Sequence, residues 1–432
     1  MDEILDTLIK LNPWWDYKNF DTGIFRNRYT LKIEKYLSTG EIVVLSGVRR
    51  AGKTTLIYQM IHGLINDHDT EPKKILFVNC DEPILNLSDN FFKKIMEVYK
   101  QDVCSEDHTY LIFDEIQNVT GWEKWIKSLY DTKKYHIIIS GSSSHLLDSS
   151  LSYLISGRYF RINVFPLDFI EYLHFNDFHI KKDRISAAAN KDKIIHMMKN
   201  YLQDGGFPRV TLEKDRELKK EYLNSYYDSI VYKDIILLHR IRNGKILREL
   251  ITYLCSNFTN LYSYKKLTEL LKIDYATLKE YLYYAEEAKI LFETHYFSYS
   301  LKTQSRNNKK IYCIDNGLRN AVSFRFSRDE GRLAENLVFV ELLRRGKDPY
   351  YWVGKGEVDF ILKNRDGSLS AINVSCTNEI DEREISGLIE FEKKYSGMTK
   401  ELILLTKDIS KTEDSVKFIP LWKWMLGIES DI

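Results

Sequence analysis

The chain has 432 residues, of which 44% are hydrophobic and 29% are charged. This composition is ordinary for a soluble globular protein and disfavours disorder as the main state. Sixty-three Lys and Arg against 62 Asp and Glu leave a net charge of +1, so any binding to nucleic acid must use local basic patches. No run approaches the roughly 18 apolar residues of a membrane span, and the N-terminus lacks the basic region of a signal peptide. We therefore expect a cytoplasmic protein that does not enter a membrane.

The cysteines argue against a disulfide scaffold or a zinc finger, because their number is odd, their spacing is wide and no C-x-x-C occurs. Histidines are scattered without the spacing of metal ligands. The five cysteines are Cys80, Cys104, Cys255, Cys313 and Cys376.

Short apolar runs alternate with helical stretches over the first 165 residues. Residues 41–46, 75–79, 110–114 and 137–140 are typical of buried strands, and 159–165 could be a fifth. Strands that alternate with helices predict a mostly parallel sheet with crossover connections. The fold class is therefore α/β.

A phosphate-binding loop follows the first predicted strand. GVRRAGKT at 47–54 matches G-x-x-x-x-G-K-[ST] in full and opens a helix. In such a loop backbone N–H groups and the helix N-terminus cradle phosphates, the lysine reaches the β- and γ-phosphates, and the hydroxyl residue holds Mg²⁺. The bland alternative is a glycine-rich turn before a helix. We predict an ATP and Mg²⁺ site formed by Gly47, Arg49, Arg50, Ala51, Gly52, Lys53, Thr54 and Thr55.

An apolar strand that ends in two acids, LIFDE, supplies the second half of this site. Asp114 fits a Walker B acid that holds Mg²⁺ together with Thr54, and Glu115 fits the base that polarises the attacking water. A strand candidate at 75–79 lies between the two motifs in sequence. That arrangement indicates the P-loop division with an additional strand and a glutamate base.

Two further residues are candidates for catalysis. Ser142, in the hydroxyl cluster that ends the fourth strand, could sense the γ-phosphate or orient water, or belong to a polar loop or helix cap. Arg158, just before the fifth strand, could stabilise transition-state charge in its own site or in a neighbour's. The alternative for Arg158 is a surface or salt-bridging arginine.

These motifs resemble the AAA-type ATPases of archaea and bacteria that carry a C-terminal domain long catalogued only as of unknown function. The resemblance covers nearly the whole chain. It implies an ASCE-type P-loop core, a winged helix, a C-terminal domain like restriction endonucleases, and ATP hydrolysis with Mg²⁺. In related AAA proteins an arginine near Arg158 acts on an adjacent subunit, so a homo-oligomer is one expectation. The motifs that carry the resemblance are NPWW at 12–15, GVRRAGKTT at 47–55, IFDEIQN at 112–118, SGSSS at 140–144, SGR at 156–158, GGFP at 205–208, YKDI at 232–235, IDNGL at 314–318 and GEVDF at 356–360.

We accordingly divide the chain into four parts. Residues 1–172 form the AAA-type ATPase domain and 173–245 a helical linker or lid. Residues 246–318 form the winged helix, and 319–432 the restriction-endonuclease-like domain.

The last domain departs from an active PD-(D/E)xK nuclease. Glu335 fits the helix acid of that class, and Asp359 fits the strand acid. Asn373 stands where the second strand acid belongs and Ser375 where the lysine belongs, so we predict a domain without efficient cleavage. Two lysines could in principle replace the missing one, Lys355 and Lys363.

The winged helix is a candidate for DNA contact. Its recognition helix, predicted over 274–288, carries acids and tyrosines, whereas a DNA-reading helix is usually more basic. The wing loop is basic and suits contact with phosphates. The alternative is a winged helix used for domain packing or subunit contact. The basic and amide residues of the predicted wing loop are Lys302, Arg306, Asn307, Asn308, Lys309 and Lys310.

The leading functional hypothesis is an ATP-driven switch or motor that acts on or near DNA. One rival is a nucleotide-controlled signalling or scaffold protein with slow turnover that DNA does not raise. The other is an ATP-regulated nuclease, against which Asn373 and Ser375 count.

Overall fold

The computed structural model describes residues 2–83, 90–142, 157–181, 183–323, 330–377 and 380–428. These residues form two compact units, Met1–Val164 and Phe165–Ile432. Over the described residues, no helix combines the length and the apolar character that crossing a membrane requires.

The first unit is built on a five-stranded parallel sheet. Its strands are β1 (Ile42–Gly47), β2 (Ile75–Asn79), β3 (Thr109–Asp114), β4 (Tyr135–Ser142) and β5 (Tyr159–Val164), in the order β2-β3-β4-β1-β5. Nearly continuous apolar runs form β1 to β4 because both faces of a parallel sheet are covered. The predicted α/β fold with a parallel sheet is confirmed.

The strand order brings the two nucleotide motifs to one edge of the sheet. β4 lies between β1, which precedes the glycine-rich loop, and β3, which ends in Asp114. Because all strands run in the same direction, their carboxyl ends meet at that edge, where ligands of open α/β sheets bind. Among the described residues, the α-helices of this unit are Asp2–Leu11, Asn27–Leu37, Lys53–Asn66, Phe91–Val98 and Trp122–Asp131.

The N-terminal segment covers the free edge of β2. The Asn12 side chain both donates to the carbonyl of Phe77, at 2.9 Å, and accepts from its N–H, at 2.7 Å. The indole N–H groups of Trp14 and Trp15 both donate to the carbonyl of Ile75, at 3.2 and 2.8 Å. An uncovered edge strand would present unpaired backbone groups to other chains. Side chains of the NPWW motif therefore cover the β2 edge of the sheet by bonding its backbone groups.

The second unit begins with helices that surround a buried junction. Gly206 N–H donates to Asp315 Oδ2 at 2.6 Å, and Leu318 N–H donates to Asp315 Oδ1 at 2.9 Å. A Cβ added to Gly317 would lie 2.0 Å from the carbonyl oxygen of Asp204, so only glycine fits there. The GGFP and IDNGL motifs thus meet in space. The helices before the first strand of this unit are Phe169–Phe175, Arg184–Ala189, Lys191–Asp204, Pro208–Leu212, Arg216–Ser229, the π-helical turn Ile230–Leu237, and Gly244–Ser256.

A small three-stranded antiparallel sheet follows. It contains β6 (Leu261–Tyr262), β7 (Leu291–Thr294) and β8 (Lys309–Cys313) in the order β6-β8-β7. Helices Tyr264–Leu271 and Tyr275–Glu287 lie between β6 and β7, and the side chains of Ser263 and Asp274 cap their N-termini. A short helix, Leu301–Arg306, occupies part of the segment that the sequence predicted as a wing loop, and Asn316–Val322 follows β8.

The C-terminal part is a six-stranded mixed sheet packed against helices Glu330–Arg344 and Glu382–Lys394. Trp352, Phe391 and Leu404 are fully buried in its core. The strands follow the order β13-β14-β12-β11-β10-β9, and a last helix spans Leu421–Leu426. They are β9 (Tyr350–Val353), β10 (Glu357–Lys363), β11 (Leu369–Ser375), β12 (Thr399–Thr406), β13 (Lys411–Glu413) and β14 (Val416–Pro420).

Candidate functional site

The glycine-rich loop joins β1 to the helix Lys53–Asn66. A Cβ on Gly47 would lie 2.2 Å from the carbonyl oxygen of Val164, so the close approach of β5 requires glycine. Gly52 has φ +94°, a left-handed conformation that directs the chain into the helix. The predicted loop between strand and helix is present at this point.

Lys53 is buried over this loop. It is 5% exposed, and its ammonium donates to the carbonyls of Gly47 and Val48 at 3.0 and 3.4 Å. Arg26, which belongs to none of the motifs, donates from Nη1 to the carbonyl of Ala51 at 2.8 Å. Two positive side chains therefore contact the loop: Lys53, which belongs to the motif, and Arg26, which does not.

Thr54 and Asp114 meet as the two motifs predict. Thr54 Oγ1 donates to Asp114 Oδ2 at 2.6 Å, and the Ser140 hydroxyl donates to the other carboxylate oxygen. Burial raises the pKa of Asp114, Glu115 raises it further, and the bonds from Ser140 and Thr54 oppose this shift. A hydroxyl and a buried carboxylate side by side, next to Lys53, fit a Mg²⁺ ion bound with nucleotide phosphates.

Glu115 follows the strand in a constrained conformation. Its φ of +52° is in the left-handed region, which is uncommon for a residue with a side chain. The Gln117 amide donates to Glu115 Oε2. The chain thus turns at Glu115, and its half-buried carboxylate is held at the carboxyl end of β3.

Ser142 lies directly beside the glycine-rich loop. It is the last residue of β4 and pairs with Gly47 across the sheet. Its hydroxyl is buried and has no hydrogen-bond partner among the described residues. Ser143 and Ser144, the rest of the hydroxyl cluster, lie outside the described residues. A buried hydroxyl without a partner at this edge is suited to bonding a ligand.

The other loop residues differ in exposure. Arg49 is half-buried, Arg50 is exposed with φ +67°, and Thr55 is exposed on the first turn of the helix. Ala51 is fully buried and its carbonyl accepts the bond from Arg26. All of them stay within the predicted nucleotide-binding segment.

Arg158 does not join this site. It immediately precedes β5, and its carbonyl accepts from Ile42 N–H at the start of β1, the opposite end of the sheet from the loop. Its guanidinium contacts Asp131 at 3.1 Å and lies over the Tyr130 ring. The parallel register therefore places Arg158 about a strand length from the loop of its own chain, and a catalytic role for Arg158 stays a prediction.

Comparisons with known proteins place the chain in a family. An AAA domain family matches residues 39–173, and two domains of unknown function match 195–329 (DUF8612) and 330–424 (DUF4143). An uncharacterized protein of Methanocaldococcus jannaschii is 33% identical over 413 residues, covering 91% of this chain and 90% of its own length. An uncharacterized protein of Haemophilus influenzae is 30% identical, covering 93% and 98%. The chain belongs to the same family as these full-length relatives. Within the chain, residues 39–173 match an AAA domain.

Two solved structures also resemble this chain in fold. The Walker-type ATPase of Pyrococcus abyssi has a TM-score of 0.46 at 14% identity, over 69% of this chain and 96% of its own. The Aeropyrum pernix ORC1 protein, solved in complex with DNA, has a TM-score of 0.34 at 10% identity, over 76% and 97%.

A second cluster of charged residues lies in the C-terminal part of the chain. The side chains of Glu335, in the helix Glu330–Arg344, and Asp359, in β10, are 12% and 14% exposed and meet at Lys310 of β8. The predicted helix acid and strand acid are thus brought together. In an active nuclease of this class, the lysine would stand at the position of Ser375, in β11 of the six-stranded sheet. Here the lysine beside the two acids is Lys310, in β8 of the three-stranded sheet.

Asn373 and Ser375 take other roles in this cluster. The Asn373 amide donates to the carbonyls of Glu357 and Glu384, at 3.1 and 2.8 Å, and its oxygen accepts from Asp359 N–H at 2.9 Å. The Ser375 hydroxyl lies 3.5 Å from that of Thr377. Asn373 therefore holds backbone groups of its neighbours together.

The basic wing loop is smaller than the sequence predicted. Lys309 and Lys310 are only 6% and 2% exposed, because they begin β8 and point into the unit. The Lys309 ammonium donates to the carbonyl of Gln304 at 2.6 Å. Lys302 and Arg306 remain exposed, so two of the four predicted positive residues are left for phosphate contact.

Proposed function

We propose that this protein binds ATP with Mg²⁺ at the loop 47–55 and hydrolyses it, as an ATP-driven switch. The observation that carries this proposal is the meeting of Thr54 and Asp114 at 2.6 Å beside Lys53, at the ligand-binding edge of a parallel sheet. Residues 60 positions apart meet with the chemistry that Mg²⁺ and triphosphate require.

Each residue has a defined part in the proposed reaction. Loop N–H groups and Lys53 bind and orient the phosphates, and Thr54 and Asp114 would hold the metal ion. Bound Mg²⁺ neutralises negative charge on the phosphates. Glu115 accepts a proton from the attacking water, and Ser142 orients that water or the γ-phosphate.

DNA contact is a second part of the proposal. The three-stranded sheet with the helices Tyr264–Leu271 and Tyr275–Glu287 has the order of a winged helix. Exposed lysines on and between these helices, with Lys302 and Arg306, support binding to a phosphate backbone. Acids and exposed tyrosines on the second helix favour little sequence reading. The exposed lysines are Lys265, Lys266, Lys272 and Lys279.

The C-terminal domain completes the proposed architecture. Helix Glu330–Arg344, strands β9 to β11, helix Glu382–Lys394 and β12 follow one another in the order of a restriction-endonuclease-like core. With an amide at Asn373 and a hydroxyl at Ser375, we propose that this domain does not cleave nucleic acid and serves binding or assembly.

The decisive experiment is steady-state ATP hydrolysis by the purified full chain with Mg²⁺, alone and with single- or double-stranded DNA. Glu115→Gln runs alongside to exclude a contaminating ATPase. Turnover that depends on Glu115 supports the ATPase, and acceleration by DNA supports a motor or remodelling role. Nucleotide binding with slow turnover that DNA does not change would favour a signalling switch. The absence of nucleotide binding would refute the proposal.

A further inference from the structure

Lys310 is the most deeply buried ammonium of the C-terminal cluster. Its side chain is 3% exposed, and its Nζ lies 2.7 Å from Glu357, 2.9 Å from Glu335 and 3.1 Å from Asp359. Burying an ammonium is costly unless it is paired and hydrogen-bonded. Three carboxylates around one lysine supply those partners, so Lys310 is stable here only while they remain ionised.

Two of these carboxylates, Glu335 and Asp359, are those that a nuclease of the resembled class would use to bind a divalent cation. Their oxygens already have other partners in this chain. Asp359 Oδ1 accepts from Lys310 and Oδ2 from Val374 N–H at 3.0 Å, while Glu335 Oε1 accepts from Lys310 and from Tyr312 at 2.8 Å. Asn373, at the position of the second strand acid, turns its amide N–H groups toward backbone carbonyls. The residues present therefore do not fit a divalent metal centre.

We propose that Lys310 is the permanent cation of this carboxylate cluster and stands in place of a divalent metal ion. The ammonium links β8 of the three-stranded sheet to the helix Glu330–Arg344 and to β10 of the six-stranded sheet. In this role the acids at the nuclease positions hold the three-stranded and six-stranded sheets of the second unit together through ion pairs with Lys310.

The electrostatics of the cluster agree with this assignment. Burial alone would lower the pKa of Lys310, but the carboxylates, Glu335 foremost, outweigh burial and hold that pKa well above its usual value. Burial, together with repulsion from Asp359, raises the pKa of Glu335 to about 7. Burial and repulsion from Asp359 likewise raise the pKa of Glu384 to about 7. The positive charge of Lys310 offsets the repulsion among these buried acids, and this attraction stabilises the folded cluster.

The test removes the ammonium and asks whether a metal ion can replace it. Lys310→Met is compared with Lys309→Met, which makes the same change at the preceding residue. The Lys309 ammonium donates to the carbonyl of Gln304 and contacts none of the three acids around Lys310 in the described hydrogen bonds. Binding of Mn²⁺ without nucleotide is measured by electron paramagnetic resonance, and thermal unfolding is followed with and without Mn²⁺. We expect Lys310→Met to unfold at a lower temperature, to bind Mn²⁺ at least tenfold more tightly than wild type, and to regain stability in Mn²⁺. Lys309→Met should show no gain in Mn²⁺ binding.

Two outcomes would overturn the proposal. One is a folded Lys310→Met variant with no new Mn²⁺ site. The other is a Mn²⁺ site in the wild-type protein that Glu357→Gln abolishes. The second comparison remains informative if Lys310→Met does not fold, because the Glu357 side chain is 47% exposed and its replacement is tolerable. Equal Mn²⁺ binding by wild type and Glu357→Gln supports the proposal, and none of these readouts depends on ATP turnover.

Discussion

The hydroxyl of Thr54 lies 2.6 Å from Oδ2 of Asp114, although the two residues are 60 positions apart. The contact exists because β1 and β3 run parallel with β4 between them, so both carboxyl ends reach the same edge. Thr54→Ala removes the hydroxyl that we propose binds Mg²⁺ and leaves the buried Asp114 carboxylate with one donor fewer. We expect nucleotide affinity with Mg²⁺ to fall roughly 10-fold to 100-fold, corresponding to about 1.4–2.7 kcal/mol.

Thr54→Ser is the matched control because it keeps the hydroxyl. Binding of a fluorescent ATP analogue, titrated with Mg²⁺ and with EDTA, separates the metal-dependent part of the affinity. Affinity of Thr54→Ala equal to that of wild type in Mg²⁺ would remove Thr54 from the metal site.

Glu115→Gln should separate binding from hydrolysis. The amide keeps the shape of the side chain but cannot accept a proton from water, so turnover should fall by about 10² to 10⁴-fold. Equilibrium binding of ATP should stay within a few-fold of wild type, since Glu115 follows the strand and lies outside the phosphate loop. Phosphate release measured under saturating ATP tests this, and undiminished release would place the base elsewhere.

Ser142→Ala tests a hydroxyl that makes no hydrogen bond to the described residues. Because no bond is lost, the free energy of unfolding should change by less than about 0.5 kcal/mol. We expect kcat to drop about 10-fold with little change in nucleotide affinity. Ser140→Ala is the contrast, since the Ser140 hydroxyl bonds buried Asp114 and its removal should lower stability. A Ser142→Ala variant with wild-type kcat would reduce Ser142 to a packing residue.

The candidate nucleotide site was predictable because the residues that form its strands, loop and helix are close together in sequence. The apolar runs of β1 and β3 and the glycines of the loop fix strand, turn and helix within a few residues. The carboxyl ends of parallel strands share one edge of the sheet, so both motifs were expected there, whereas the order of the strands comes from the structure.

The C-terminal cluster was only half predictable. Glu335 and Asp359 are recognisable by their positions on a helix and a strand, but Lys310 lies in a run of basic residues that is typical of an exposed loop. Its contact with Asp359 spans 49 positions, and only the tertiary structure shows that β8 carries it inward. Arg26, bonded to the loop from outside any motif, escaped prediction for the same reason.

Arg158→Ala should leave the ATP turnover of an isolated chain within about two-fold of wild type. The guanidinium is 41% exposed, pairs with Asp131 and lies at the opposite end of the sheet from the loop. An exposed pair of this kind contributes roughly 0–1 kcal/mol to stability, so the fold should be unaffected. Turnover is measured across a range of protein concentrations.

A large loss of turnover in folded Arg158→Ala would contradict that expectation. Mixing the variant with Glu115→Gln would then show whether Arg158 works in a neighbouring subunit. Partial recovery of activity in the mixture would require one chain to supply the arginine and another the base.

Asp315 should make stability depend on pH in an unusual direction. Burial raises the pKa of Asp315 to about 6, despite backbone bonds from Gly206 and Leu318, whereas a carboxyl of this type in an unfolded chain has a pKa of about 3.9. The folded protein therefore binds more protons than the unfolded chain between about pH 4 and 6. The free energy of unfolding should fall as the pH rises through that window, by roughly 3 kcal/mol from this group, and its contribution should be constant above it.

Asp315→Asn removes the titrating group while keeping its size. The variant should be less stable at pH 5, because its amide N–H group faces a backbone donor, and it should lack the part of the pH slope that belongs to Asp315. Chemical denaturation of both proteins at pH 4, 5, 6 and 7 gives the slope of unfolding free energy against pH for each. Other titrating carboxyls contribute equally to both slopes, so the difference between the slopes belongs to Asp315. Identical slopes would mean that Asp315 is already ionised throughout, and that the bonds from Gly206 and Leu318 outweigh its burial.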